Sequence, residues 1–369
     1  MGQGGWHGKA RHRRVYCVWL FHATRHPSIA SDIKSLQRGK RDSADGLHVV
    51  IDPAPESWRI RGRNVSLRRP FLFGILNVTP DSFSDGGRFL SMNAAVAQAD
   101  RIVAEGADGI DVGGESTRPQ GARSVSVGEE IRRIAPVIAA IRRRFGELPI
   151  SIDTTKSEVA HAAIAEGADI INDVSAFRLD PRMGEIVAAS GAGVVLMHSR
   201  GGVEDMATYR FAEYGPDVVA EVRQELEVAT LKAREVGVAV ESIVIDPGVG
   251  FAKRSEHSLQ VLAELRRVAS LGYPVLVGVS RKRFIGELSR VENPSARVAG
   301  TLGANVAALM GGARLFRVHD VAPNRQGLDV AWGIANALSA TVRTGVRRSA
   351  PDSRFPPPGY AGHPPDSRQ

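Results

Sequence analysis

Eight short apolar runs, each followed by a polar loop and usually by an amphipathic stretch, recur along most of the 369-residue chain. They occupy residues 71–76, 109–112, 149–152, 169–171, 193–197, 242–245, 274–278 and 314–318. Such runs, rich in Val and Ile and flanked by Gly or Pro, read as strands buried on both faces. Strands of that kind belong to parallel sheets, because crossover helices cover both sides. The segments between them carry helical periodicity. Residues 94–105 place Ala95, Val96, Ala99, Ile102 and Val103 on one face and stop at Gly106. Residues 129–144 repeat this with Ile131, Ile134, Val137, Ile138 and Ile141, and 218–236, 259–268 and 296–310 follow suit. Eight strand–helix units of about 35 residues each predict an α/β chain closed into a single (β/α)₈ (TIM) barrel. An open doubly wound sheet is the alternative. It would carry a G-x-G-x-x-G turn after its first strand, and none stands there.

The barrel is expected over 57–341. Residues 58–65 (WRIRGRNV) alternate around Gly62 and predict a short strand pair opening it. Residues 1–56 lack lasting periodicity and predict a mobile basic extension, or sequence upstream of the true start. Residues 342–369, with two proline clusters and little apolar content, predict a disordered tail.

The net charge of +8 raises the question of nucleic acid. The charge is local: +9 over residues 1–69, +3 over 342–369 and −4 over the body between. A slightly acidic body does not track a phosphate backbone, so no nucleic-acid partner is expected. No apolar run approaches the ~20 residues that span a bilayer. Basic residues 9–14 precede the apolar run 15–21, but Arg25 and His26 follow where a small-residue cleavage site belongs, so no secretory signal is expected. The single Cys17 excludes an internal disulfide and fits a cytoplasmic setting. Cys17, His12, His22, His26 and His48 fall outside the barrel and are assigned no role.

In these barrels chemistry is built where strands end. The strand ends here carry Asn77, Asp111, Asp153 with Thr154, Asn172 with Asp173, His198, Asp246, Ser280 with Arg281 and Lys282, and Arg317 with His319 and Asp320. Loops are polar anyway, so one such residue means little; eight strand ends converging on one mouth mean more. Asp153, Asn172 and Asp246 offer acceptors and an amide suited to a planar heterocycle rich in N–H groups. Arg317, His319 and Lys282 add positive charge on the rim, suited to a phosphate-bearing group. Each has a plainer reading. Asp153 could cap a helix, Lys282 could belong to a solvated 281–283 run, and Arg118 could be a surface charge. His198 stays open between a structural histidine and a site residue. No H-E-x-x-H, cysteine pair or EF-hand spacing points to a protein-built metal cage.

Residues 74–89 (GILNVTPDSFSDGGRF), 111–119 (DVGGESTRP), 151–154 (SIDT), 172–175 (NDVS), 246–253 (DPGVGFAK), 280–286 (SRKRFIG) and 317–321 (RVHDV) closely resemble the dihydropteroate synthase family, in that family's order. The resemblance implies transfer of a dihydropterin-methyl group from its pyrophosphate ester to para-aminobenzoate. It implies a pterin site of Asp153, Asn172, Asp246 and Lys282, and a pyrophosphate site of Asn77, Arg317 and His319, with Asn77 also helping to hold Mg²⁺. It implies an aminobenzoate site of Phe83, Thr117, Arg118, Pro119, Phe251 and Ser280. Asp85, Asp153, Lys282 and Arg317 would be the catalytic residues, Phe83 and Asp85 lying on a first loop that closes over the reacting centre. A homodimer and sensitivity to sulfonamides are implied too. Ala252, Arg254 and Ser258 depart from that family's usual Gly, Thr and Asn. Two other readings compete: a methyltransferase of the wider pterin-binding group, and a non-catalytic relative. The first should lack the TPDSFSDGG, SRK and RVHD stretches, and the second should lose Arg118, Phe251 or Lys282; this chain keeps them all.

Overall fold

The computed structural model describes residues 55–78, 87–115 and 125–343. A hairpin of β1 (Ser57–Ile60) and β2 (Arg63–Ser66) comes first. Eight strands follow: β3 (Phe71–Asn77), β4 (Gly109–Gly113), β5 (Ile150–Asp153), β6 (Ile170–Asp173), β7 (Gly193–Met197), β8 (Ile243–Asp246), β9 (Leu276–Val277) and β10 (Leu315–Val318). They pair in parallel in chain order, and β10 pairs with both β3 and β9. A parallel bridge from Ile245 to Val275 joins β8 to the approach of β9 and closes the ring. The expected (β/α)₈ barrel is therefore the fold.

The helices α1 (Gly87–Ala104), α2 (Val127–Phe145), α3 (Ser157–Ala165), α4 (Met183–Ser190), α5 (Val218–Glu235), α6 (Ser255–Ala263), α7 (Leu265–Ala269), α8 (Arg283–Ser289), α9 (Val298–Met310) and α10 (Val321–Arg343) follow the strands. In α2 the local chemistry agrees with the fold. The Ser126 side chain caps the start, Glu129 and Glu130 stand in the first turn, and Arg142, Arg143 and Arg144 stand in the last. Its buried stripe of Ile134, Val137, Ile138 and Ile141 packs into the main core with the outward strand residues Ile110, Val112, Ile150 and Ile152.

A second cluster fills the lower barrel: Phe71, Phe73, Ile170, Val195, Val244, Leu276 and Leu315, joined by Trp58, Ile60 and Leu67 from the hairpin region. The hairpin thus plugs the N-terminal end. Trp58 Nε1 donates to Ser242 O at 2.9 Å. A Cβ at Gly193 would lie 2.5 Å from Ile60 and 2.9 Å from Trp58, so only glycine lets the plug seat.

Several boundaries differ from expectation. The strand expected over 274–278 shrinks to Leu276–Val277: Pro274 has no N–H to give, and Val275 meets β8 by an isolated bridge while its carbonyl accepts from Arg314 N at 2.9 Å and Leu315 N at 3.1 Å. The helix expected over 259–268 is two, broken at Glu264 (φ −110°). The last helix runs to Arg343, two residues into the tail expected to be disordered, its packed side anchored by buried Leu328, Ala331 and Ala335. Most of 1–56 lies outside the described residues, but Glu56 already accepts from Leu67 N at 2.8 Å and belongs with the hairpin. Among the described residues, no helix is long and apolar enough to cross a membrane.

Candidate active site

Strand geometry builds the site. Side chains two apart on a strand share a face, so the residue two beyond each lower-barrel hydrophobe also points inward. Phe73 is followed on that face by Ile75 and Asn77, Ile170 by Asn172, Val244 by Asp246 and Leu315 by Arg317. Asp111 on β4 and Asp153 on β5 fall on the same face. The inner wall changes from apolar to charged within one step of the pleat.

Arg317 is the centre of this layer. Its Nε donates to Asp111 Oδ2 at 2.5 Å and its Nη2 to Asp153 Oδ2 at 2.7 Å. Asn172 Nδ2 donates to the same Asp111 oxygen at 3.3 Å. The other Asp111 oxygen is buried and has no hydrogen-bond partner among the described residues. Burial works against the Arg317 charge, but Asp111 and Asp153 outweigh it and hold the guanidinium firmly protonated. Burial raises the Asp153 carboxyl; Arg317 opposes and Asp111 reinforces this, leaving it at about 7.

Opposite stand Asp246 and Lys282. Burial raises Asp246, countered by Lys282 and by the Gly248 N–H, which donates to Asp246 Oδ1 at 2.7 Å. Burial lowers Lys282 to about 7, resisted by Asp246 and aided by Arg317. The Lys282 side chain keeps some contact with water at the bowl's mouth while its ammonium is walled in. Nζ donates to Val249 O and sits 4.2 Å from the centre of the Phe251 ring. Phe251 packs with Val174, Met197 and Met206. Ser280 Oγ accepts from His319 N at 3.1 Å and lies 3.0 Å from His319 Nδ1, tying the ends of β9 and β10 together. Asn77 reaches the same layer: a Cβ at Gly113 would lie 3.5 Å from Asn77 Oδ1 and 3.8 Å from Asp153 Cβ.

The structure therefore brings Asn77, Asp153, Asn172, Asp246, Phe251, Ser280, Lys282, Arg317 and His319 to one end of the barrel. Phe83, Asp85, Thr117, Arg118 and Pro119 lie outside the described residues. One difference is chemical. Positive charge was expected on a separate part of the rim, yet Arg317 sits between two acids, because buried carboxylates this close need a cation among them. Asp153 caps no helix: α3 starts at Ser157, whose N–H is taken by Asp180 Oδ2 at 2.9 Å. Asp111 joins the site although no motif singles it out; the signal for it is its spacing of two from Gly109 and Gly113, which puts it on the inward face of β4.

Two departures from the usual wording of 246–258 have local outcomes. Ala252 holds φ +45°, a conformation that suits glycine. Ser258 Oγ takes the N–H of Gly250 at 3.1 Å. His198 is buried, its Nδ1 2.7 Å from Lys253 Nζ.

Residues 73–319 match the family described as pterin binding enzyme. A dihydropteroate synthase of Synechocystis is 45% identical over 254 residues, spanning 69% of this chain and 86% of that one. The solved Xanthomonas albilineans dihydropteroate synthase with 4-aminobenzoic acid aligns with TM-score 0.70 and 47% identity, covering 76% of this chain and 99% of that one. The same enzyme in complex with 7,8-dihydropteroate aligns with TM-score 0.67 and 44% identity, at the same coverage. The barrel, its charged inner layer and these likenesses agree: the chain belongs to the pterin-binding enzyme family, among the dihydropteroate synthases.

Proposed function

We propose that the bowl joins a dihydropterin-methyl pyrophosphate to para-aminobenzoate by a dissociative displacement. The observation that carries this reading is Arg317 held between Asp111 and Asp153 beside the Asp246–Lys282 pair. The carboxylates and Asn172 supply acceptors and an amide for a flat, N–H-rich ring. Arg317 uses Nε and Nη2 on its acids; among the described residues Nη1 carries no protein hydrogen bond and can meet a leaving oxyanion. His319 and Asn77 stand at the same rim.

As the methylene–oxygen bond breaks, its electron pair leaves with pyrophosphate, and positive charge spreads from the methylene into the pterin. Asp153 and Asp246 lie where that charge develops. The arylamine nitrogen then forms the new bond to the methylene and releases its proton. No covalent enzyme intermediate enters. Phe251, with Lys282 over its ring, and Ser280 form the outer wall on the aminobenzoate side. By the family resemblance, Phe83, Thr117, Arg118 and Pro119 would belong to the aminobenzoate site as well, and Asp85 to the catalytic set.

Among the described residues, no group of three or more His, Cys, Asp or Glu could hold a metal, and Arg317 occupies Asp111 and Asp153. This donor set fits an ion bound mainly through substrate phosphates, with Asn77 Oδ1 as the protein's oxygen. Mg²⁺ held so would neutralise charge on the departing pyrophosphate. We also propose that the chain is a cytoplasmic homodimer, on family resemblance.

The test is direct. Purified protein with the pterin pyrophosphate, labelled para-aminobenzoate and Mg²⁺ should yield labelled pteroate. A sulfonamide should raise the aminobenzoate KM without changing kcat. Absence of labelled product at saturating substrate rejects the reading in favour of a binding-only role.

A further inference from the structure

Lys253 is a lysine with almost no access to water, at 1% exposure, and the chemistry above does not use it. Burial lowers the Lys253 amine well below its ordinary value, and Asp246 opposes this. Its Nζ donates to Gly248 O and Phe251 O, each at 3.2 Å, and lies 2.7 Å from His198 Nδ1. Both carbonyls belong to the loop that leaves β8, which carries Asp246 at its start and Phe251 near its end. That loop turns through three left-handed residues, Gly248 (φ +64°), Gly250 (φ +77°) and Ala252 (φ +45°). A Cβ at Gly248 would fall 1.9 Å from His198 O, so the loop lies directly against the strand end that bears His198. Without the Lys253 amine, the Phe251 carbonyl would lose a buried donor and the His198 ring nitrogen its buried partner.

His198 completes the device. Burial, with Lys253 beside it, lowers His198 to about 4 and keeps the ring neutral; with Nδ1 accepting from Lys253 Nζ, the ring proton stands on Nε2. Nε2 lies 3.0 Å from Glu225 Oε2 on α5, outside good hydrogen-bond alignment. The third carbonyl of the loop, Val249 O, is taken by Lys282. Two lysine amines therefore hold the loop's carbonyls: Lys253 Nζ takes 248 and 251, and Lys282 Nζ takes 249.

We infer that Lys253 is a positioning residue. With neutral His198 as its acceptor, it fixes the 246–253 loop so that the Phe251 ring stands at the depth the aminobenzoate ring requires. The inference rests on the reaction proposed above. Asp246 has its own anchor in the Gly248 N–H and in β8, so the deep ring site depends less on Lys253 than the outer wall does.

The test compares wild type with Lys253→Met, His198→Asn and His198→Leu. Methionine keeps the length and loses the amine. Asparagine presents an oxygen near the position of Nδ1, and leucine presents none. We expect Lys253→Met and His198→Leu to raise the aminobenzoate KM by about tenfold, the scale of one lost buried hydrogen bond. The pterin pyrophosphate KM should stay within about threefold, and His198→Asn should restore the aminobenzoate KM to within about threefold of wild type. A purely structural lysine would lower the melting temperature and the active fraction and leave both KM values alone, which overturns the inference. If Lys253→Met does not fold, the two His198 variants decide: equal aminobenzoate KM values in both also overturn it. Inactive wild type, by contrast, rejects the reaction itself.

Discussion

Arg317 on β10 reaches past the whole of β3 to bond Asp111 on β4, Nε to Oδ2 at 2.5 Å. The contact spans 206 positions of sequence and joins the last strand of the barrel to its second. Breaking a buried ion pair from one side costs ~3–5 kcal/mol; Asp153 still holds Nη2, so Asp111→Asn should destabilise by about 2 kcal/mol in urea unfolding. kcat/KM should fall at least about tenfold, since the guanidinium loses its aim. An unchanged unfolding midpoint would mean that water already screens the pair.

Asp153 and Lys282 should respond to pH with opposite signs. The folded value of Asp153, about 7, lies above its ordinary 3.8, so ionisation penalises the folded state as pH rises through that window. Asp153→Asn removes the penalty, and its melting temperature relative to wild type should climb between about pH 4 and pH 7 and level off above. Lys282 has a folded value of about 7, below its ordinary 10.5, so its penalty is complete below pH 7 and fades above. The relative melting temperature of Lys282→Met should therefore decline between about pH 7 and pH 9. The slope is the readout, and parallel slopes in the two variants would contradict the assignment.

Trp58 anchors the plug at the end of the barrel remote from the site, with no side-chain exposure. Trp58→Ala should cost ~3–5 kcal/mol of unfolding free energy. Both KM values should remain those of wild type while the variant is folded. A selective change in either one would show that the plug communicates with the bowl.

Arg290 closes α8 in a left-handed conformation, φ 57°, with an exposed side chain. Glycine takes that conformation without a Cβ clash, so Arg290→Gly should stabilise by roughly 0.5–1 kcal/mol and leave activity unchanged. A lower melting temperature would show that the Arg290 side chain contributes more than its backbone costs.

Much of this molecule is legible in the chain. The eight apolar runs gave all eight barrel strands, since strands buried on both faces have no polar alternation to blur them. The Trp58 hairpin was legible as well. Helices α3, α4, α8 and α10 were harder. The first three are short, at 9, 8 and 7 residues, too few for a period to repeat. The last hides behind polarity: Asn324 is fully buried on it and accepts from Asn305 Nδ2 at 2.9 Å, so its packed face is not a run of Leu and Ile. At the site, residue types at strand ends were readable, but the pairing was not. That Arg317 would choose Asp111 and Asp153, or that Lys253 would turn inward to His198, depends on where strands far apart in sequence meet.

The plug formed by Trp58, Ile60 and Leu67 stops the foot of the well, where the strands begin. On the reaction proposed above, a pterin seated in the charged layer would enter from the opposite end, ahead of a partner bound at the outer wall. A molecule lodged at that rim would then trap whatever lies beneath it, so a tight rim ligand should slow release of the pterin.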